Sequence, residues 1–577
     1  MTRAGLLLSQ IGYDLHSPMR AVYRSTCPDA LSPNATFTVQ AMDEAMGSPV
    51  KPGYWGECWG DHWWTLDFSG LAAGDYRLVL ADEGSDLLVE EPFSVAENLL
   101  WHRTFQTVGV EQFERRADWA RAQVGWKDCG SNLRELCSHA ASVIGLCEMA
   151  IRSPDWIAPA NYRRIVDQIV HGCAYIVACQ DKASALGLPD GSFVHELTQS
   201  PLLVPANAAQ GGLALAMASR VIYESHPERS GDFLQRSRRT YAFVQSDESG
   251  FPPEGFSALN HGAPADFRPD GGLMTRELMM RLWFAVEMWI SGGATEYQND
   301  ALALTEQIMA RQIRKDQAEG GLYGHFRTFA DQAFSEKANI HHHVGHDTGA
   351  IFPCPLMPLL EMIGRWYDHP DVERWKQTVH DFAYGHLLPA CRTNPFNLLP
   401  SGYFIGEGVL AFCGPWHGIN VSYTWLAVLA CRLEAFTGDK DFRDLAVANL
   451  QWIAGLNAGL APGMFESCIT FRPELPDDRY VPFSMIEGIG NRSALGWSKI
   501  PGSIVNGFSV NPQFRLEEAN TKANDGPRRF TDEDWIPHAA GWLAALACLR
   551  EVQFFGDRSA PASSQRDSLD ESVVAVS

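Results

Sequence analysis

The sequence predicts two units in tandem, a small all-β sandwich of immunoglobulin type over residues 1–96 and a large (α/α)6 toroid over 97–556. Three observations predict this. The chain has 577 residues, more than one ordinary compact core accommodates. Its first hundred residues hold only short, partly alternating, β-rich stretches. From Glu97 onward apolar residues recur at spacings of three and four, the mark of amphipathic helices.

Taken in order, LLLSQIGYD, MRAVYRST, ATFTVQAM, HWWTLDFS, DYRLVLAD and LLVEEPFSV read as strands, separated by SPNA, LAAGD and DEGSD. Six or seven short strands in so few residues suit an immunoglobulin-like sandwich, with Trp63 or Trp64 as contacts to the larger unit. Helices are then expected to begin near Asn98, Ser131, Pro159, Pro205, Arg229, Met274, Ala294, Gly345, Asp371, His417, Asp439 and Asp534. A dozen helices in pairs without strands between them predict alternating inner and outer helices, with loops at one rim forming a cleft. A solenoid is the alternative, but no fixed-period repeat is present. The stretch from Asn457 to Thr531 has a weak helical pattern yet many aromatic residues, so it is expected to be ordered. The polar tail, 557–577, reads as disordered.

The formal net charge of −23 argues against nucleic acid and anionic membranes as partners. No stretch reaches the roughly 18 apolar residues of a membrane span. The opening MTRAGLLLSQIGYD is too short for a secretory signal, and the 13 scattered cysteines suit reduced thiols, so a cytoplasmic location is expected. The 18 tryptophans suit either helical cores or flat platforms for sugar rings.

Two turns carry chemistry. In Gly125-Trp126-Lys127-Asp128-Cys129-Gly130-Ser131-Asn132, an Asp precedes a helix start, where backbone N–H groups favour its ionised form. That suits a general base and equally suits a helix cap. In Phe530-Thr531-Asp532-Glu533-Asp534-Trp535, neighbouring carboxylates and an indole both raise a carboxyl pKa, so one acid can stay protonated and donate. The same run equally suits a helix start dressed for its dipole. His343, with His346 and Asp347, sits on a helix-entry loop. Its spacing matches no strong metal motif, and sugar contact is the competing role. Trp416 and His417 open another helix and are sugar-contact candidates too. No phosphate loop or dinucleotide fingerprint occurs; neither metal nor cofactor is expected.

Several segments resemble the family-nine glycoside hydrolases, cellulase-like inverting enzymes that often carry an immunoglobulin-like domain in front. LLLSQIGYDLHSPMRAVYRS resembles the opening of that domain, and GWKDCGSN resembles the Gly-Trp-Tyr-Asp-Ala-Gly-Asp turn. ANLQWIAGLN, GNRSALGWSKIPGSIVNGFSVNP and DEDWIPHAA resemble three later motifs, in the family's order and across nearly the whole chain. The resemblance implies that Glu533 is the general acid, Asp128 the first Asp of the turn and Arg492 a sugar-binding Arg. Trp126 is expected at the cleft with Trp416. The implied reaction is inverting hydrolysis of a β-linked glucan or oligosaccharide, with the two carboxyl groups about 6.5–9.5 Å apart.

One departure is large. Ser131 stands where the family has its usual general base, and Gly490-Asn491 replace the His-His before the binding Arg. A hydroxyl cannot accept water's proton unaided. The rivals are therefore a lyase or altered glycosidase on a uronate glycan, served by Arg492, Arg472 and Arg479, and a non-catalytic sugar-binding relative.

Overall fold

The computed structural model describes residues 3–42, 47–81, 89–121, 123–130, 134–197, 205–246, 273, 275–318, 320–327, 330, 346–347, 356–400, 402–404, 408–410, 420–461, 475–476, 478–508 and 530–556. The expected tail lies outside them.

The strands are β1 (Ala4–Leu7), β2 (Tyr13–Asp14), β3 (Arg20–Ser25), β4 (Thr36–Ala41), β5 (Ser48–Val50), β6 (Gly53–Cys58), β7 (Asp61–Asp67), β8 (Gly74–Ala81) and β9 (Val89–Ala96). They form two sheets, β1-β3-β7-β6 and β2-β9-β8-β4-β5, in which only the β2–β9 pair is parallel. The strand period of two decides which residues face where. Leu6, Ala21, Tyr23, Trp64 and Leu66 point between the sheets, against Phe37, Leu78, Leu80 and Phe93. Their neighbours Leu7, Val22 and Trp63 point the other way and join the helical core. The sandwich thus docks through the outer face of its four-stranded sheet. Trp63 makes that contact, edge-on to Phe396 with centroids 5.3 Å apart, while Trp64 packs inside against Tyr23.

Polar groups pin the junction. Arg24 and Asp61 form a fully buried ion pair, Arg24 Nη1 donates to the Ala458 carbonyl at 2.7 Å, and its guanidinium lies 3.6 Å from the Tyr480 ring centroid. Asp14 caps the first helix by accepting from Leu100 N–H at 2.9 Å.

The helices are α1 (Leu99–Gln106), α2 (Gln112–Ala120), α3 (Leu136–Arg152), α4 (Pro159–Ala185), α5 (Pro205–Ile222), α6 (Pro227–Gln245), α7 (Thr275–Gly292), α8 (Thr295–Met309), α9 (Met357–Arg365), α10 (Val372–His380), α11 (Leu388–Cys391), α12 (Asn420–Thr437), α13 (Asp441–Ala454) and α14 (Ile536–Gly556). Helices α3, α5, α7, α9, α12 and α14 contact one another in a closed ring, and each packs on an outer partner. This is an (α/α)6 toroid. Inner helices such as α3, α7 and α12 are buried nearly all round, whereas outer α4, α6 and α10 bury one stripe. Because inner and outer helices alternate in direction, the N-termini of all inner helices open on one rim.

Most helix starts fall within two or three residues of expectation, including α12 at Asn420 against His417. Two differ. The helix expected near Gly345 starts at Met357, and His346–Asp347 instead pair as a short strand with Phe326–Arg327. The helix expected near Ser131 starts at Leu136, because Glu135 holds extended backbone (φ −105, ψ 148). The described part of the long 457–531 stretch is ordered as expected. It pairs with β1 through Tyr480 N–H and the Ala4 carbonyl, then returns beneath the rim through Asn506.

Candidate active site

Two loops at the N-termini of neighbouring inner helices, α3 and α14, bring the acidic residues together. The first loop turns at Gly125, whose φ of 77° favours glycine and where a Cβ would sit 2.5 Å from His139 Nε2. Gly130 lies so close under Trp497 that a Cβ there would meet that side chain at 1.8 Å. Between them, Asp128 ties both helix starts: its carbonyl accepts from Ile536 N–H at 2.7 Å and its Oδ2 from Glu135 N–H at 2.9 Å. It therefore braces the starts of α14 and α3, although the N-cap residue of α3 is Glu135 and not Asp128. Asp128 has no solvent exposure, and among the described residues its buried Oδ1 makes no hydrogen bond. Burial, reinforced by the nearby Glu135 charge, pushes its pKa well above the usual carboxylate range.

The second loop sorts three consecutive acids. Asp532 is buried and takes Trp497 N–H on its carbonyl at 3.0 Å and the indole N–H on Oδ1 at 3.3 Å. Asp534 is buried and paired with Arg116 at 3.1 Å, and it also accepts from the Ser498 hydroxyl. Glu533 between them is half-buried. Its Oε2 accepts from Asn506 Nδ2 at 2.7 Å, and Asn506 Oδ1 faces His538 Nε2 at 2.6 Å. Of the three acids, Glu533 alone is solvent-accessible; the other two hold the loop.

A third group joins the loops. Glu135 Oε1 meets His195 Nε2 at 3.0 Å, and Oε2 accepts from the Ser138 hydroxyl at 3.2 Å. Ser138 in turn accepts from the Trp535 indole N–H at 2.6 Å, two residues past Glu533. Burial alone would depress the His195 imidazole, but the bond to Glu135 and that carboxylate's charge overcome it and raise the pKa. Glu135, Cys137 and His195 have donor atoms within 4.8 Å of one another, near enough for a cation. In this arrangement His195 and Glu135 are bonded to each other, and Cys137 Sγ lies 3.8 Å from Glu135 Oε2.

Two expected sugar contacts are corrected. Trp126 is not a cleft platform. It is fully buried, stacked on His139 at 5.4 Å, edge-on to Phe113, bonded to Gln168 through Nε1 and pressed against Gly172 of α4. Arg492 does not turn into the cleft either. Its guanidinium pairs with Glu91 of β9 at 2.8 Å and reaches Gln10, which makes it a tie to the sandwich. His343, Trp416 and His417 lie outside the described residues.

Glu135, His195, Asn506 and His538 were missed. Glu135 carries a readable signal, a carboxylate seven residues past Asp128 and just before an apolar helix. His195 carries none, since only folding brings it to the turn. A crevice of about 510 Å³ at the junction with the sandwich is lined by Gln10, Tyr76, Phe93, Arg103 and Asn491, but by none of Asp128, Glu135 or Glu533.

No protein-family model matches the sequence, and no curated protein does. Among solved structures, a metagenome-derived glycoside hydrolase family 9 endoglucanase is similar with a TM-score of 0.63 at 15% identity, covering 95% of this chain and 99% of its own. A family 9 glycoside hydrolase of Bacteroides ovatus gives 0.60 at 15% identity over 94% and 98%. AaCel9A, solved in complex with cellobiose-like isofagomine, gives 0.59 at 14% identity over 95% and 100%. The chain thus has the fold of the family 9 glycoside hydrolases, an (α/α)6 barrel with an immunoglobulin-like domain in front.

Proposed function

We propose that this protein is an inverting glycoside hydrolase that cleaves a β-linked glucan or oligosaccharide. The observation that carries the reading is the placement of Glu533, a solvent-accessible carboxyl held by Asn506, beside the Asp128 turn on the rim of an (α/α)6 toroid. Endoglucanases of similar fold support a glucan as the substrate class. Glu533 protonates the departing glycosidic oxygen. Asp128, buried behind the rim, braces both loops. Of the arginines behind the uronate alternative, Arg492 pairs with Glu91 and Arg479 with Asp478, and Arg472 lies outside the described residues.

Glu533→Gln tests the assignment. Cleavage of cello-oligosaccharides should fall by about a hundredfold or more, while a β-glycosyl fluoride, which leaves without a proton, should be largely spared. Equal loss on both substrates would remove Glu533 from the acid role. Oligosaccharide turnover with an ultraviolet-absorbing product would show a lyase, and protection from unfolding without turnover would show a binding protein.

A further inference from the structure

Within the hydrolase reading on which it rests, we propose that Glu135, held in place by His195, is the general base that replaces the carboxylate absent at Ser131. Four observations converge. Asp128, the other acid of the turn, is wholly buried and spends its carbonyl and Oδ2 on the starts of α14 and α3. Glu135 instead keeps 13% of its side chain exposed, as does His195. Both of its oxygens are oriented, one by His195 at 3.0 Å and one by Ser138 at 3.2 Å.

The fourth observation links base to acid. Ser138 is itself fixed by Trp535, so the orientation of Glu135 depends on the loop that carries Glu533. A carboxylate ahead of the first turn of α3 is also favoured by the helix dipole. The pair His195–Glu135 follows the general logic in which a second group fixes the group that moves the proton.

The step balances without a cofactor. Water's oxygen attacks C1 from the face opposite the leaving group and forms the new C1–O bond, while its proton passes to a Glu135 oxygen. The glycosidic C1–O bond breaks, its electron pair goes to the departing oxygen, and Glu533 supplies that oxygen with a proton. Exchange with solvent then returns both carboxyl groups to their starting states. Glu135 is the catalytic group and His195 a positioning residue.

The test uses the full chain with cello-oligosaccharides and β-cellobiosyl fluoride. Glu135→Ala and the conservative Glu135→Gln should lower kcat about a hundred- to ten-thousandfold on both substrates, with KM little changed. Sodium azide should restore turnover of the fluoride by Glu135→Ala, giving the α-glycosyl azide. His195→Ala should lower kcat less and gain nothing from azide. Melting curves identify any variant that fails to fold, and Glu135→Gln, which keeps hydrogen-bonding capacity toward His195 and Ser138, guards against that outcome. An active wild type beside a Glu135→Ala variant of normal kcat overturns the proposal alone, as does azide rescue of Asp128→Ala in place of Glu135→Ala. Stoichiometric zinc whose removal abolishes wild-type turnover also overturns it, by making the trio a metal site. A wild type that cleaves no glycoside overturns the hydrolase reading as well.

Discussion

Trp126 is a motif residue that faces the core rather than the rim. Its indole fills the space between Phe113, His139 and Gly172, and its backbone N–H donates to His139 Nε2 at 2.9 Å. It therefore shapes the turn from behind. Trp126→Ala should cost about 3–5 kcal/mol of stability in denaturant titration. KM of whatever folded enzyme remains should stay within about twofold; a large rise in KM with normal stability would put the indole back in the cleft. Position in a motif marked this residue, but a single sequence cannot say whether an indole supports a loop or lines it. The same ambiguity applies to Arg492, whose partner Glu91 lies 401 positions away.

Glu487 offers a test of the electrostatics under the second loop. Its Oε2 accepts from Gly496 N–H at 2.8 Å, beside the Asp534–Arg116 pair. Burial, with a further push from Asp534, raises its pKa to about 7, against the opposing Gly496 bond and Arg116 charge. The folded state thus holds this proton more tightly than the unfolded chain. That contribution to stability is complete below 4.5, the ordinary value for a glutamate, and is lost as pH rises through about 7. Glu487→Gln keeps an acceptor for Gly496 and has no such loss. The melting temperature of wild type relative to Glu487→Gln should fall between pH 5 and pH 8, and a difference independent of pH would contradict the assignment.

At the scale of elements, the alternation of β7 was legible because a strand has only two faces. One of Trp63 and Trp64 had to face outward, and sequence named both without choosing between them. The choice depends on β3 and β1, which align Val22 and Leu7 with Trp63 toward the helices. Helix starts at Pro159 and Pro205 were legible because proline fits the first turn of a helix. The start at Leu136 was not, since Glu135 is held extended by contacts from distant parts of the chain.

The Arg24–Asp61 pair is the element-level feature least visible in sequence and among the most testable. It lies between the docked sheet and the 458–480 segment, with Tyr480 hydroxyl 3.3 Å from Asp61 Oδ2. Arg24→Met leaves a buried carboxylate without its cation and should cost about 3–5 kcal/mol. The double change Arg24→Met with Asp61→Leu should recover much of that loss, since replacing both charges removes the stranded one. No recovery in the double variant would show that Arg24 acts through packing on Tyr480 and Trp63.

For the molecule as a whole, the toroid was legible because its inner and outer helices differ in how much surface they bury, and twelve-odd periodic segments in pairs leave few closed arrangements. The site was legible only in part. Asp128 and Glu533 sit on turns that sequence marks, but the Glu135–His195 pair exists only once the connection between α4 and α5 folds onto the start of α3. Among the described residues no helix is long and apolar enough to cross a membrane. The formal charge of −23 suits a neutral glycan better than an anionic one.

Product stereochemistry tests the central claim most directly. An acid on one side of the sugar and an activated water on the other displace the leaving group in a single step, which inverts the anomeric centre. Proton NMR during the first minutes of cello-oligosaccharide cleavage by the wild-type protein should therefore show the α-anomer of the new reducing end appearing ahead of the β-anomer. The β-anomer appearing first would mean retention through a covalent intermediate and would contradict the assignment of Glu533 and the water-activating side of the site.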